Sequence, residues 1–76
     1  MTHDALADLG KYAGWLDRDY ASRQVRTAVA AVNTAVAAGD DLGSVLDALE
    51  SAIRRVPARS LRRLFEPAIA ELRRGL

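Results

Sequence analysis

The chain has 76 residues, no cysteine and a formal net charge of +1 at pH 7. The absence of cysteine excludes a disulfide scaffold and a thiolate metal site. A domain of this size buries only about 60% of the surface that its unfolded chain exposes. Such a thin core favours oligomerisation. The sequence has no apolar run of membrane-spanning length and no signal-peptide pattern, so we expect a complete, cytoplasmic protein with one domain over residues 1–76.

The charges are divided unevenly along the sequence. Residues 1–50 hold eight acidic side chains against four basic ones, whereas residues 51–76 hold seven arginines against two glutamates. This division predicts either a basic region that meets a polyanion or two oppositely charged parts that attract each other within or between chains.

The first predicted helix begins with a cap at Thr2 or Asp4 and ends at about Leu16. Its apolar side comprises Ala5, Leu6, Leu9, Ala13 and Leu16. Gly10 and Gly14 either weaken this helix or permit a close helix crossing beneath Tyr12.

Trp15 has two interpretations. On a continuous helix it projects beside Asp8 and Lys11, away from the apolar side, and becomes a candidate for a protein interface together with Tyr12. Alternatively the helix ends near Gly14, and Trp15 folds back as the main anchor of the core.

The second predicted helix begins at Asp17 or Asp19 and ends near Gly39, which suits a left-handed cap. A seam of four valines runs along it: Val25, Val29, Val32 and Val36. Four alanines, Ala30, Ala31, Ala37 and Ala38, lie away from this seam. They predict a helix buried on most sides, a self-association surface on which backbones approach closely, or an exposed alanine-rich face.

The third predicted helix follows a cap at Asp40 or Asp41 and ends before Pro57. Its apolar seam is Leu42, Leu46, Leu49, Ile53 and Val56. Glu50 precedes Arg54 by four residues, which is the favourable order for an ion pair on one helix.

The fourth predicted helix is capped by Ser60, and Pro67 inside it predicts a kink or a break. Its apolar face comprises Leu61, Leu64, Phe65, Ala68, Ile69, Leu72 and Leu76. Four amphipathic segments with short connections predict an all-α fold, a small four-helix bundle.

An arginine-rich face lies opposite the apolar face of the fourth helix. It comprises Arg59, Arg62, Arg63, Arg73 and Arg74, and Glu66 is its single acid. This patch predicts contact with an anionic partner such as a nucleic acid, or a solvated or protein-facing surface whose charge is offset by acids elsewhere. No aromatic residue is interleaved with the arginines, so base stacking is not indicated.

The sequence offers little for catalysis. The single histidine, His3, lies near the terminus, and there is no glycine-rich phosphate loop or nucleophile paired with a base. We therefore expect no catalytic, cofactor or metal site. The leading hypothesis is a small interaction or regulatory protein, such as an adaptor, inhibitor or small subunit, that forms a homodimer. The alternative is a nucleic-acid-binding module that uses the fourth helix, and we do not expect a membrane partner.

Overall fold

Four α-helices and no strand make up the part of the chain that the computed structural model describes, residues 2–75, with side chains from Asp4 onward. The helices are α1 (Thr2–Gly14), α2 (Tyr20–Ala38), α3 (Leu42–Ile53) and α4 (Arg59–Arg74). Each helix packs beside the next and α4 packs against α1, whereas the two diagonal pairs make no close contact within these residues. The predicted all-α four-helix bundle is confirmed.

Both ends of α2 have the predicted caps. One carboxylate oxygen of Asp19 accepts hydrogen bonds from the backbone N–H of Ser22 at 3.3 Å and from the Ser22 hydroxyl. At the other end, Gly39 takes a φ of 72°, a left-handed conformation that glycine adopts without steric cost. The N–H of Asp40 then donates to the Ala35 carbonyl at 2.9 Å.

Asp41, one of the two residues predicted to cap α3, is its N-cap. Its carboxylate accepts the N–H of Gly43 at 3.1 Å and the hydroxyl of Ser44 at 2.8 Å. The helix ends at Ile53, earlier than predicted, because the chain tightens there into a turn in which the Val56 N–H donates to the Ile53 carbonyl at 3.0 Å. Val56 precedes a proline, which disfavours helical geometry, yet its side chain still lies in the core.

The start of α4 corrects one prediction, because Ala58 is the N-cap residue and no side chain caps it. Ser60 lies within the first turn instead. The helix continues across Pro67 rather than breaking, so the Arg63 carbonyl lacks the N–H donor that any other residue at position 67 would supply. The ring of Pro67 is exposed to solvent.

The core lies along the bundle axis and follows the predicted seams closely. The largest side chains that are fully buried are Phe65, Leu9, Leu46, Leu49, Leu72, Val25 and Val32. Val36 is only partly buried and packs against the edge of this core, whereas its neighbour Ala35 is buried at that end of α2. Gly10 and Gly14 are exposed, and a Cβ added to either would meet nothing within 4 Å, so the predicted close crossing is absent there.

The position of α2 excludes one interpretation of its alanines. The helix contacts only α1 and α3 among the described residues, so it gives one face to the core and turns the other to solvent. Ala30, Ala31 and Ala37 all lie on the exposed side. The prediction of a central helix buried on most sides is therefore wrong.

Candidate interaction surfaces

The connector between α1 and α2 presents Trp15 at the surface. The helix ends at Gly14, and its last turn closes with the Trp15 N–H donating to the Tyr12 carbonyl at 3.0 Å. Trp15 does not fold into the core, because its neighbour Leu16 occupies that place and is 6% exposed. Trp15 itself is 53% exposed, so the prediction that it anchors the core is wrong.

Trp15 is nevertheless fixed by its neighbours. Its ring centroid lies 5.5 Å from that of Tyr12, and Tyr12 packs edge-on against the buried ring of Phe65 at 5.8 Å. The Nζ atom of Lys11 lies 5.4 Å from the Trp15 centroid, within the range of a cation–π contact. These three residues, Lys11, Tyr12 and Trp15, form what we call the aromatic surface.

Arg26 of α2 holds the connector in place. Its Nη2 atom donates to the carbonyl oxygens of Leu16 and Asp17, both at 2.7 Å. These carbonyls follow the end of α1, and the guanidinium satisfies them together. Arg26 thereby fixes the backbone next to Trp15.

The predicted arginine patch is divided in the structure. Arg73 is committed within the chain, because its Nη2 lies 2.6 Å from an oxygen of Asp47 and its Nε lies 2.9 Å from an oxygen of Glu50. Asp47 and then Glu50 raise the pKa of Arg73 above its ordinary value by hydrogen bonding to its charged form. The predicted pair of Glu50 with Arg54 is not formed, because Glu50 faces α4 and meets Arg73 there.

Four other arginines gather where the chain turns from α3 into α4. Arg54, Arg59, Arg62 and Arg63 line a depression of about 290 Å³, and Glu66 is the one acid beside them. The Nη1 atom of Arg62 makes a long hydrogen bond of 3.4 Å to the Arg54 carbonyl. We call these four arginines the arginine corner. Arg74 is exposed and does not line this depression.

A second depression of about 380 Å³ continues from the first between α3 and α4. The two share Ile53, Arg54, Arg62 and Glu66, so they form one continuous hollow, the α3–α4 groove. Its apolar lining comprises Ile53, Phe65, Ile69 and Ala70. The groove is present because α3 packs mainly on α2 and α4 mainly on α1, which leaves the seam between α3 and α4 partly open.

The outward face of α2 is uncharged from residue 27 to residue 38. Its exposed side chains are Thr27, Ala30, Ala31, Asn33, Thr34, Ala37 and Ala38. Because these side chains are small or short, another helix could approach this face closely.

Between residues 2 and 75 no cluster of acidic or histidine side chains has the composition of a metal site. The side chain of His3 lies outside the described residues. None of the described helices is both long and apolar enough to cross a membrane.

No protein-family model, no curated protein and no solved structure gives a significant match to this chain.

Sequence patterns did not indicate three features of these surfaces. Tyr20 is 64% exposed at the start of α2, and nothing in its local pattern distinguishes it from a core aromatic residue. Arg26 and Arg54 acquire their roles from residues that are distant in sequence or across a turn. Only the packing of the helices brings Arg26 to the connector between α1 and α2, and Arg54 to the other members of the arginine corner.

Proposed function

We propose that this protein is a non-catalytic adaptor, inhibitor or small subunit that binds another protein through the aromatic surface. The observation that supports the proposal is a tryptophan that is 53% exposed and yet held by ring contacts that reach the core. Large exposed aromatic residues are enriched among the residues that dominate binding energy in protein interfaces.

The fixed geometry of Trp15 favours binding. A side chain that is ordered before the partner arrives loses little conformational entropy on association. Tyr12 restrains the Trp15 ring from one side, and the hydrogen bonds of Arg26 restrain the backbone that follows it. The aromatic surface is thus prepared for a partner without a change of fold.

The test compares two exposed aromatic residues. Trp15→Ala should abolish capture of a specific partner from a nuclease-treated extract, and the purified partner should bind the variant at least about tenfold more weakly. Tyr20→Ala is the matched control, because Tyr20 is exposed and makes no ring contact among the described residues. A partner that binds wild type and Trp15→Ala with equal affinity would contradict the proposal.

We infer further that the protein is a homodimer, formed through the outward face of α2. The support is the uncharged stretch of small side chains described above and the thin core of so short a chain. Sedimentation equilibrium should give twice the monomer mass for wild type and for Ala48→Glu, which alters an exposed alanine on α3. Ala30→Glu should shift the mass to that of the monomer. A wild-type monomer at high concentration would contradict this inference.

The alternative function is nucleic-acid binding at the arginine corner. Its support is a group of four arginines that make no ion pair within residues 2–75. This function predicts that the logarithm of the affinity for duplex DNA falls linearly with the logarithm of salt concentration. The slope should decrease by about two in Arg59→Gln/Arg63→Gln.

A cytoplasmic location stays a prediction.

A further inference from the structure

We propose that the α3–α4 groove binds an acidic, amphipathic segment of another protein, with an apolar side chain on the groove floor and carboxylates on the arginine corner. This site is separate from the aromatic surface, and it adds a second contact to the protein-binding function proposed above. Three properties of the groove support this occupant: its apolar floor, its unpaired positive charge and the uneven distribution of that charge.

The floor of the groove is apolar and belongs to the core. Ile53, Phe65 and Ile69 line it with exposed fractions of 7% or less, so they offer a partner only small areas of apolar surface, and the arginine corner is the main source of attraction. Ala70 is exposed at the edge and leaves room above its methyl group. A volume of about 380 Å³ suits one or two large apolar side chains of a partner rather than a whole helix.

The charge at one end of the groove has no counterpart within the described chain. The arginine corner places four guanidinium groups against the single carboxylate of Glu66. The ion pairs found within residues 2–75 use Arg73 and none of these four arginines. An anionic partner therefore gains attraction here without displacing an existing ion pair.

The other end of the groove does not attract anions. There, Arg73 is bound by Asp47 and Glu50, so two carboxylates surround one guanidinium. The charge thus changes along the groove from basic at Arg62 to slightly acidic at Arg73. A matching segment carries its acids at one end only, which also fixes the direction in which it binds.

The same features favour a protein segment over a nucleic acid. A phosphate backbone gains nothing from the apolar floor, and the one aromatic residue in the groove, Phe65, is 1% exposed and presents no face for a base to stack on. The α4 side of the groove extends from Arg62 to Arg73, about 17 Å at the rise of an α-helix. A helical segment of about three turns covers that length.

The test uses synthetic probes and fluorescence anisotropy. The first probe is a labelled helical peptide of about three turns, with leucines along one face and glutamates near one end. The second probe has glutamine in place of every glutamate, and the third is a labelled DNA duplex. We expect the acidic peptide to bind about tenfold more tightly than the glutamine peptide, and more tightly than the duplex.

Variants of the protein locate the binding. Arg59→Gln/Arg63→Gln should weaken binding of the acidic peptide about tenfold, whereas Arg18→Gln/Arg23→Gln removes two exposed arginines elsewhere and should not. Ala70→Glu places a carboxylate in the groove and should weaken binding by more than tenfold. Ala48→Glu makes the same change on an exposed site outside the groove and should have no effect.

Three results would overturn the proposal: equal affinity for the acidic and glutamine peptides, binding of the duplex but not of the peptide, or no binding of either. Circular dichroism of each variant establishes that it is folded. Because every altered residue is exposed, we expect each variant to fold. Trp15→Ala should bind the acidic peptide as wild type does. Failure at the groove therefore remains distinguishable from failure of the aromatic surface.

Discussion

Arg26 shows how a single side chain positions a surface that it does not belong to. Its guanidinium bridges the carbonyls of Leu16 and Asp17, at the point where the chain leaves α1 and Trp15 emerges. One guanidinium nitrogen, Nη2, donates both hydrogen bonds through its two N–H groups. The conformation of the connector depends on these two hydrogen bonds.

Replacement of Arg26 by methionine tests this role. We expect Arg26→Met to keep the helical content of the bundle but to lower its melting temperature by a few degrees, because both carbonyls lose their donor. Acrylamide quenching of Trp15 should become faster as the connector loosens. The matched control is Arg23→Met, an exposed residue of the same helix.

An unchanged quenching rate in Arg26→Met would show that ring contacts alone hold Trp15. Of the two interpretations of Trp15, the one that leaves it exposed is confirmed, but the sequence could not decide between them. The outcome depends on Leu16, which fills the core position beside it, and on a guanidinium ten residues away. Neither the burial of Leu16 nor the hydrogen bonds of Arg26 can be recognised from the residues next to Trp15.

The ends of the helices were predicted where a side chain of the local sequence determines them. Asp19, Gly39 and Asp41 form caps through contacts within three or four residues, so their patterns are readable. The end of α3 and the start of α4 have no such side-chain cap. They were misplaced because the turn between them is shaped by the burial of Val56 rather than by a capping motif.

The two capping aspartates predict how stability depends on pH. Hydrogen bonds from Ser22 to Asp19 and from Ser44 to Asp41 hold the pKa of each carboxyl below its ordinary value of 3.8. The charged form is thus favoured in the folded state. The stabilisation is complete at neutral pH, decreases as the pH falls below the ordinary value, and is lost below the lowered pKa.

Urea titrations between neutral and strongly acidic pH measure this effect. Asparagine caps a helix about as well as aspartate but does not titrate, so Asp19→Asn/Asp41→Asn should show a flatter dependence of the urea midpoint on pH than wild type. Asp17→Asn/Asp40→Asn makes the same change of charge at two positions that do not cap. That control should retain the wild-type dependence, and an identical flattening in both variants would contradict the assignment.

At the scale of the whole molecule, stability rests on a small number of buried side chains. With 76 residues, the free energy of unfolding is on the order of 4–11 kcal/mol. Leu46 is completely buried between α3 and the rest of the bundle. Loss of one such side chain removes a large share of the total.

Truncation of Leu46 should therefore remove a large part of the free energy of unfolding. We expect Leu46→Ala to lower the free energy of unfolding by about 2–5 kcal/mol, and Leu46→Met, which keeps the volume, to lower it by less than about 1.5 kcal/mol. Urea denaturation followed by far-ultraviolet circular dichroism gives both values. Equal losses in the two variants would mean that Leu46 packs loosely and that the core is fluid around it.

The spacing of apolar residues predicted four helices and most of the core, because each helix shows its buried face in its own sequence. It did not predict which helices pack most closely, since that depends on how four such faces meet. The α3–α4 groove is a result of how the four helices pack. Arg54, assigned to a pair with Glu50 by its spacing, lies instead at the groove with Arg62, and Glu50 crosses to Arg73.

The contact of Tyr12 with Phe65 connects the two proposed sites through a chain of ring contacts. Trp15 is the only tryptophan of the chain and is half exposed, so the tryptophan fluorescence comes from one known position at the surface. Phe65 lines the groove on one side and touches Tyr12 on the other, and Tyr12 touches Trp15. A ligand that covers Trp15 shifts this emission to shorter wavelength, whereas one that enters the groove reaches the indole only through two rings. The protein thus carries its own unlabelled reporter for deciding which surface a partner occupies.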